Sequence, residues 1–276
     1  MTFLERPIVV RGGGDLATGT ILMLSRAGYP VIILETECPT AIRREAAFSE
    51  AVRFGTKTVE NIVCRKVGNP EEALKEAAPC NPVLLVDENA ESLAVLKPQI
   101  LIDAVLAKKN LGTRKDMADL TIALGPGFCA GRDVDYVIET MRGHNLGRII
   151  SEGYALPNTG TPGVIAGYGK ERVIHAPADG ILKNRNNIGD IVEKDEPIAV
   201  IINSTGEVPV PASLSGVLRG ILPDGFRVFK GLKMADIDPR ISEKENCYTV
   251  SDKSRCIAGS VLELVCAYEK NAGDRR

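Results

Sequence analysis

Short apolar runs separated by helix-like segments fill the first half of the chain. Bounded by glycine, proline or charged residues, these runs are typical of buried strands and lie at 8–10, 31–34, 62–63, 83–86, 100–102 and 120–124. Helices are predicted over 15–27, from Thr40 as an N-cap to about 54, and over 71–78. Short strands that alternate with helices indicate a parallel sheet covered on both faces.

The pattern changes after about residue 125, where glycine and proline become frequent. We therefore predict a Rossmann-like nucleotide-binding domain over 1–135, a connecting region rich in glycine and proline over 136–172, and a β domain over 173–270. The connecting region includes a loop over 157–163.

An internal repeat runs through the predicted β domain. A shift of 36 residues aligns Gly180 with Gly216 and Val192 with Val228, and each half has the pattern of strand, loop, glycine-containing turn and strand. Such halves are too small to fold alone, so we expect them to pair as a barrel-sandwich-hybrid-like domain. The predicted fold class is α/β, with an N-terminal Rossmann-like parallel sheet and a C-terminal all-β, internally duplicated domain.

The turn between the two halves argues against one class of cofactor. Swinging-arm carrier domains have a similar doubled architecture and present a modifiable lysine at the tip of the central hairpin. Here the turn is Asn203–Glu207, which contains no lysine. Covalent biotin or lipoate is therefore not expected.

Composition and charge disfavour several further classes of function. The 276 residues carry a net charge of −2, no tryptophan, and only six phenylalanines and six tyrosines, which argues against a nucleic-acid-binding surface. No apolar run reaches about 18 residues, so no membrane span is predicted. The segment Met1–Pro7 lacks a secretory pattern, and seven cysteines without C-x-x-C spacing fit reduced thiols better than structural zinc. A cytoplasmic protein without a metal site is expected.

The glycine turn after the first predicted strand is the first candidate site. Gly12 permits a tight turn, Gly14 lets a pyrophosphate approach the backbone, and the small Ala17 lets helix and strand pack closely. With Gly13 between them, these residues open a helix whose amides and dipole favour an anion. Glu35 ends the second strand about 20 residues further on, where a carboxylate binds ribose hydroxyls.

Three neighbouring charges leave the ligand of this turn open. Asp15 puts a negative charge where a phosphate would lie, or else it caps the helix. Arg43 and Arg44 are candidates for contact with a 2′-phosphate, so NAD and NADP both fit the pattern. The competing interpretation is a glycine-rich turn that binds nothing.

A second glycine segment follows the apolar run at 120–124. Gly125 and Gly127 flank Pro126 there, and their amides are expected at the carboxyl edge of the sheet as an anion-binding nest. A loop that crosses between domains fits the same residues equally well. Cys129, just beyond, is either a reactive thiol or, more often for a lone cysteine, a small buried hydrophobe.

A third segment concentrates charge between Glu139 and Arg148. Arg142 and Arg148 suit phosphate or carboxylate, and His144 can move protons near neutral pH. A salt-bridged surface hairpin is the alternative. Asp103, followed by two lysines at 108 and 109, ends a predicted strand and is expected to face the same cleft.

Five segments carry a resemblance to a known family: Gly12–Gly19, Ala41–Arg44, Gly125–Gly131, Ile138–Arg148 and Asp236–Arg240. They resemble the YqeB family, which comprises accessory proteins of selenium-dependent molybdenum hydroxylases. The N-terminal part is similar to that of XdhC-type proteins, which handle molybdenum cofactor for xanthine dehydrogenase. The resemblance covers nearly the whole chain and implies a molybdenum hydroxylase as partner, but it assigns no catalytic residue.

Three functions remain open on these grounds. The first is a maturation factor that binds a small anionic nucleotide-type ligand, either a dinucleotide form of molybdenum cofactor or NAD(P). The second is an NAD(P)-dependent oxidoreductase that acts on a small substrate. The third is a non-catalytic module that docks onto the hydroxylase.

Overall fold

The computed structural model of the protein describes residues 7–160 and 163–273. The predicted absence of a secretory signal over Met1–Pro7 therefore concerns mainly residues outside the described part, as does the predicted loop at Thr161 and Pro162. The chain divides into two units, and neither is continuous in sequence. The first unit collects Met1–Pro39, Ala47–Asn158 and Val250–Arg276, and the second collects Thr40–Ala46 and Thr159–Thr249.

A nine-stranded mixed sheet is the framework of the first unit. Its strands are β1 (Ile8–Arg11), β2 (Val31–Glu35), β3 (Thr56–Val59), β4 (Ile62–Val67), β5 (Val83–Val86), β6 (Ile100–Asp103), β7 (Leu120–Leu124), β9 (Tyr136–Ile138) and β10 (Ile149–Ile150), and a separate pair is formed by β8 (Cys129–Ala130) and β11 (Gly153–Tyr154). The strand order in the large sheet is β10-β9-β7-β6-β1-β2-β5-β4-β3.

The helices of this unit are mostly short. They are α1 (Asp15–Arg26), α2 (Ala51–Phe54), α3 (Pro70–Glu76), α4 (Leu93–Leu96) and α5 (Asp252–Gly273). No helix in the described part of the chain is both long and apolar enough to cross a lipid bilayer.

The predicted strands are confirmed at the centre of the sheet. All the residues of β1, β6 and β7 are buried, which accounts for their nearly unbroken apolar sequence. Because β2, β1, β6 and β7 run parallel, their carboxyl ends meet at one edge. This edge is where an open α/β sheet binds its ligands.

The predicted fold class is wrong. The sheet is mixed rather than parallel, because β3 pairs antiparallel with β4 and β10 pairs antiparallel with β9 at the two outer edges. The unit is also not purely N-terminal, since α5 comes from the other end of the chain and packs on α1. At that contact Ser254 donates hydrogen bonds to the carbonyls of Asp15 and Leu16 at 3.1 and 3.0 Å, and Gly19 leaves room for the serine.

The helix predicted from Thr40 to about residue 54 is absent. Short 3-10 turns at Arg44–Ala46 and Phe48–Glu50 and the four-residue α2 take its place. The cause is that residues 40–46 belong to the second unit, where the carbonyl of Ile42 accepts a hydrogen bond from the amide of Ile221 at 2.9 Å.

Two four-stranded antiparallel sheets make up the second unit. Their strands are β12 (Val173–His175), β13 (Gly180–Asn184), β14 (Ile191–Val192), β15 (Pro197–Asn203), β16 (Gly206–Pro211), β17 (Gly216–Ile221), β18 (Arg227–Val228) and β19 (Lys233–Asp238). The orders are β12-β19-β17-β14 and β16-β15-β13-β18.

The second part of the predicted fold class is corrected here. Each sheet takes two strands from before residue 205 and two from after it, so neither half of the repeat forms a unit alone. The unit also incorporates Thr40–Ala46 and a 3-10 segment at Ile241–Cys247, which lie outside the repeat. A duplicated barrel-sandwich built only from the two halves is therefore not what the chain forms.

Candidate functional site

The glycine turn between β1 and α1 packs tightly against the end of β6. Gly12 has a φ of +93°, and a Cβ atom on it would lie 2.8 Å from the carbonyl oxygen of Ala104. Only glycine meets both conditions, because side chains disfavour that φ and the neighbour is backbone that cannot turn aside. The turn is therefore held in place by the loop that follows β6.

Glu35 closes the same turn from the end of β2. Its Oε2 accepts a hydrogen bond from the amide of Gly13 at 2.7 Å, and its Oε1 accepts one from the amide of Thr36 at 2.8 Å. Burial raises the pKa of this carboxyl, although both hydrogen bonds act to lower it. The structure thus gives Glu35 a role within the turn, beside the predicted contact with ribose.

The start of α1 differs from one predicted detail. Gly14 is the N-cap and Asp15 is the first helical residue, so the proposed capping role of Asp15 is wrong. The amide of Thr18 donates to the carbonyl of Gly14 at 2.8 Å, which leaves the preceding amides outside the helical pattern. Ala17 is fully buried, as close packing of helix on strand requires.

The second glycine segment lies at the same edge of the sheet. A Cβ atom on Gly125 would meet the hydroxyl of Thr140 at 2.7 Å, and one on Gly127 would meet the backbone of Lys109 at the same distance. The segment therefore bridges the loop after β6 and the end of β9. Cys129 is half-buried, and its amide donates to Asp133 at 2.8 Å.

The third segment combines one structural carboxylate with exposed cations. Glu139 is 3% exposed and accepts hydrogen bonds from the amides of Met141 and Leu156 at 2.6 and 2.8 Å. Arg142 makes a bidentate ion pair with Asp252 at 2.9 and 3.0 Å, which agrees with the salt-bridged alternative.

His144 and Arg148 are both exposed. Within the described residues Arg148 makes no ion pair, so its guanidinium is available to a ligand.

Lys253 connects the first segment to the third, and the sequence pattern did not single it out. It lies in the first turn of α5, half-buried, and its charge interacts with those of Arg142, Asp15 and Glu139. Burial lowers the pKa of this ammonium group, and the nearby Arg142 lowers it further. The first turn of α5 contacts both segments, because Ser254 donates to the carbonyl of Asp15 and Asp252 pairs with Arg142.

Asp103, the last residue of β6, is buried in the protein and does not face a cleft. It is 2% exposed, accepts a hydrogen bond from Thr113 at 2.5 Å, and has its Oδ2 3.6 Å from the Nη1 of Arg11. Burial raises the pKa of the Asp103 carboxyl, while Thr113 and Arg11 act to lower it. The network anchors the loop after β6 and contributes no free group.

The two arginines proposed for a 2′-phosphate belong to the second unit. Arg43 donates to the carbonyls of Asn246 and Thr249 at 3.0 and 3.1 Å, and Arg44 donates to that of Ile221 at 2.7 Å. Both therefore have structural roles there. Across the described residues, no group of three His, Cys, Asp or Glu side chains is placed to hold a metal ion.

Comparison with known proteins identifies one close relative in sequence. No family model matches the chain. The chain is 48% identical over 258 residues to the uncharacterized protein YqeB of Escherichia coli strain K12, which covers 94% of this chain and 47% of that protein. It thus spans about half the length of the relative that it matches. The predicted resemblance to YqeB is confirmed at the level of sequence.

Solved structures give only distant matches. An aspartoacylase family protein from Mesorhizobium loti is 12% identical, with 86% of each chain covered and a TM-score of 0.29. A succinylglutamate desuccinylase/aspartoacylase from Rhodobacter sphaeroides is 10% identical, with 85% of each chain covered and a TM-score of 0.29. These TM-scores are too low to carry an argument about fold or activity.

Proposed function

We propose that the first unit binds an anionic, nucleotide-bearing ligand at the carboxyl edge of its sheet. The observation that carries this proposal is that the first turn of α5, which holds Lys253, contacts both Asp15 and Arg142, through Ser254 at 3.1 Å and through Asp252 at 2.9 Å. Lys253 offsets the charge of Asp15, which would otherwise repel a phosphate from the positive end of the helix. A half-buried ammonium, a guanidinium and a helix N-terminus together suit the phosphates of a nucleotide.

The ligand we propose is a dinucleotide form of molybdenum cofactor, with NAD(P) as the competing candidate. Its phosphates would lie at the first turn of α1, within reach of Lys253 and Arg142. The glycine segment at 125–127 and the exposed Arg148 would contact the remainder of the ligand. These residues bind and orient, and the proposal includes no chemical step.

The proposed biological role is that of an accessory factor in the maturation of a selenium-dependent molybdenum hydroxylase. This role is supported by the resemblance to the YqeB family, to which the 48% identity with one YqeB protein adds weight. The hydroxylase would then be the macromolecular partner, and the factor would hold the bound nucleotide for the hydroxylase.

Binding is tested with two variants of the same shape and different charge. Gly14 has φ −64° and ψ 177°, a conformation open to any residue, and both Asp and Asn are favourable N-caps. We expect Gly14→Asn and Gly14→Asp to fold equally well. Only the aspartate adds a negative charge at the phosphate position.

The melting temperature is followed while NAD, NADP, CTP or molybdopterin cytosine dinucleotide is added. A ligand at 100 times its Kd stabilises the wild type by about 2.7 kcal/mol. We expect Gly14→Asp to lose more of this effect than Gly14→Asn. No shift with any of the four ligands, or an equal loss in both variants, contradicts the binding proposal.

The accessory role is tested in cells with the same two variants. If binding supports maturation, Gly14→Asp lowers hydroxylase activity more than Gly14→Asn does. Full hydroxylase activity with a Gly14→Asp protein that no longer binds nucleotide would overturn the role proposed for the ligand, and would favour a docking module.

A further inference from the structure

The loop after β6 holds two residues other than glycine in the left-handed region of backbone conformation. Leu106 has a φ of +59° and Lys108 a φ of +64°, while neither Ala107 nor Lys109 has a positive φ. The sign of φ therefore alternates from residue to residue over 106–109. Side chains disfavour the left-handed region, and residues held in it cluster at binding and catalytic sites.

Contacts with two glycines hold this loop in place. A Cβ atom on Gly12 would lie 2.8 Å from the carbonyl oxygen of Ala104, and one on Gly127 would lie 2.7 Å from the backbone nitrogen of Lys109. The loop is thus packed against one glycine turn at its start and against the other at its end. Such support from neighbouring structure is the condition under which a strained backbone persists.

The backbone amides of this loop are not used by the protein. In the described part of the chain, the amides of residues 106, 107, 108 and 109 donate no hydrogen bond, and neither does that of Gly127. Successive amides in a backbone of alternating conformation form a concave nest that binds anions. The free amides at 106–109 therefore have the arrangement of an anion-binding nest.

Two ammonium groups extend from the same loop without a carboxylate partner. Lys108 and Lys109 are exposed, and neither makes an ion pair within residues 7–160 and 163–273. Asp103 contacts the loop, since its Oδ1 accepts a hydrogen bond from the amide of Val105 at 3.2 Å. Its Oδ2 lies 3.6 Å from the Nη1 of Arg11, so this carboxylate has a counter-charge of its own.

We propose that residues 106–109 bind a phosphate group. The amides of the loop would surround one phosphate oxygen, and the ammonium groups of Lys108 and Lys109 would contact the others. Amides alone accept any small anion, whereas two lysines favour the higher charge of a phosphate. That this phosphate belongs to a nucleotide rests on the proposed function, but the phosphate site itself does not. In a nucleotide it would be a phosphate other than the one at the first turn of α1.

The first experiment uses the full chain, inorganic phosphate as the probe, and three lysine variants. Lys109→Gln removes one ammonium group, and Lys108→Asn removes the other with a residue that tolerates a positive φ. Lys75→Gln is the matched control, because Lys75 is an exposed lysine on α3 that makes no ion pair in the described ranges.

Phosphate binding is measured by titration calorimetry at constant ionic strength, with chloride as the balancing anion. We expect Lys108→Asn and Lys109→Gln each to weaken phosphate binding by about threefold to fivefold, as the loss of an exposed ion pair does, and Lys75→Gln to leave it unchanged. Equal affinities of the three variants, or no phosphate binding by the wild type, would overturn the proposal.

A second pair of variants tests the amides of the loop. Ala107 is exposed and lies between the two residues with positive φ. Ala107→Asp and Ala107→Asn have nearly the same shape, but only the aspartate places a negative charge at the nest. We expect Ala107→Asp to bind phosphate at least about tenfold more weakly than Ala107→Asn. Equal affinities of these two variants would contradict an anion site at 106–109.

The melting temperature without phosphate separates binding from a structural role. The four loop variants and the control change exposed side chains, so each should melt close to the wild type. A lower melting temperature of the two loop lysine variants, combined with unchanged phosphate affinity, would assign the loop a structural role and overturn the proposal.

Nucleotide titrations of the same variants distinguish this site from the proposed function. If a nucleotide binds, and Lys108→Asn and Lys109→Gln weaken its binding as they weaken that of phosphate, both proposals are supported. If no nucleotide binds but phosphate binding depends on the two lysines, the loop site stands and the proposed function fails. If a nucleotide binds and neither lysine affects it or phosphate, the loop site is wrong and the proposed function stands.

Discussion

The carboxylate of Glu35 accepts a hydrogen bond from the amide of Gly13 at 2.7 Å, and this contact occupies one of the amides expected to bind phosphate. A ligand at the glycine turn must therefore use amides from Gly14 onwards unless Glu35 moves. In the proposed site, Lys253 would compensate in part for the amide that is lost.

Glu35 should make stability depend on pH in a defined direction. Burial raises its pKa above the ordinary 4.5, against the hydrogen bonds that lower it, so the folded state binds a proton more readily than the unfolded state. Its contribution to the free energy of unfolding is full below pH 4.5 and falls as pH rises through the folded pKa, by up to about 1.4 kcal/mol per pH unit.

Urea denaturation of wild type and Glu35→Gln between about pH 4 and 7 measures this effect. The free energy of unfolding of the wild type minus that of the variant should decrease with rising pH. Glu37→Gln, which removes an exposed carboxylate two residues further on, is the control. If the difference in free energy of unfolding instead rises with pH, the hydrogen bonds lower the pKa of Glu35 by more than burial raises it.

Gly12→Ala should destabilise the protein more than Gly28→Ala. The two glycines have nearly the same φ, +93° and +97°, but a Cβ atom on Gly28 meets nothing within 4 Å, whereas one on Gly12 meets Ala104. Backbone strain costs each variant about 1–2 kcal/mol, and overpacking adds about 1–3 kcal/mol at Gly12 alone. If the two variants have equal midpoints of urea denaturation, the glycine turn can shift away from the loop after β6 without a cost in stability.

Asp103→Asn should lower the free energy of unfolding by about 3–5 kcal/mol, because it leaves the buried Arg11 without a counter-charge. Asp116→Asn is the matched control, since it removes one partner of an exposed ion pair with Arg114. Its expected cost is below about 1 kcal/mol. The comparison is made by urea denaturation at neutral pH, and similar costs for both variants would contradict a buried charge network.

Arg148→Ala should weaken nucleotide binding without loss of stability. Its side chain is exposed, and the hydrogen bond from the amide of Glu139 goes to the Arg148 backbone, which alanine retains. We expect the free energy of unfolding to change by less than about 0.5 kcal/mol and the Kd to rise about tenfold. Arg65→Ala, an exposed arginine on β4, is the control in calorimetric titrations. The same Kd for both variants would remove Arg148 from the site.

The sequence predicted the inner strands well because burial on both faces gives nearly unbroken apolar runs, as in β1 and β6. The edges of the sheet were not predictable in this way. The antiparallel strand β3 has only one buried residue, Val59, and its sequence is not distinctive. Because only the central strands have a distinctive sequence pattern, the sheet was predicted to be parallel although it is mixed.

The candidate site was predicted in part. The glycine turn, Glu35 and the segment 125–127 all lie at the carboxyl edge, because their spacing relative to strands is local information. Lys253 was not found, since the contact between α5 and the start of α1 joins residues about 239 positions apart, as in the hydrogen bond from Ser254 to Asp15. The segment 40–46 was misassigned for the same reason, because its partners lie near residues 220 and 246.

The packing of α5 on α1 has a consequence for synthesis of the protein. Helix α1 acquires its partner only after Asp252–Gly273 has been translated, and the whole second unit is made in between. The first unit therefore cannot complete its fold before the second has been synthesised, although domains usually fold in order of synthesis. During translation the face of α1 around Gly19 stays uncovered until Ser254 and the rest of α5 have been made.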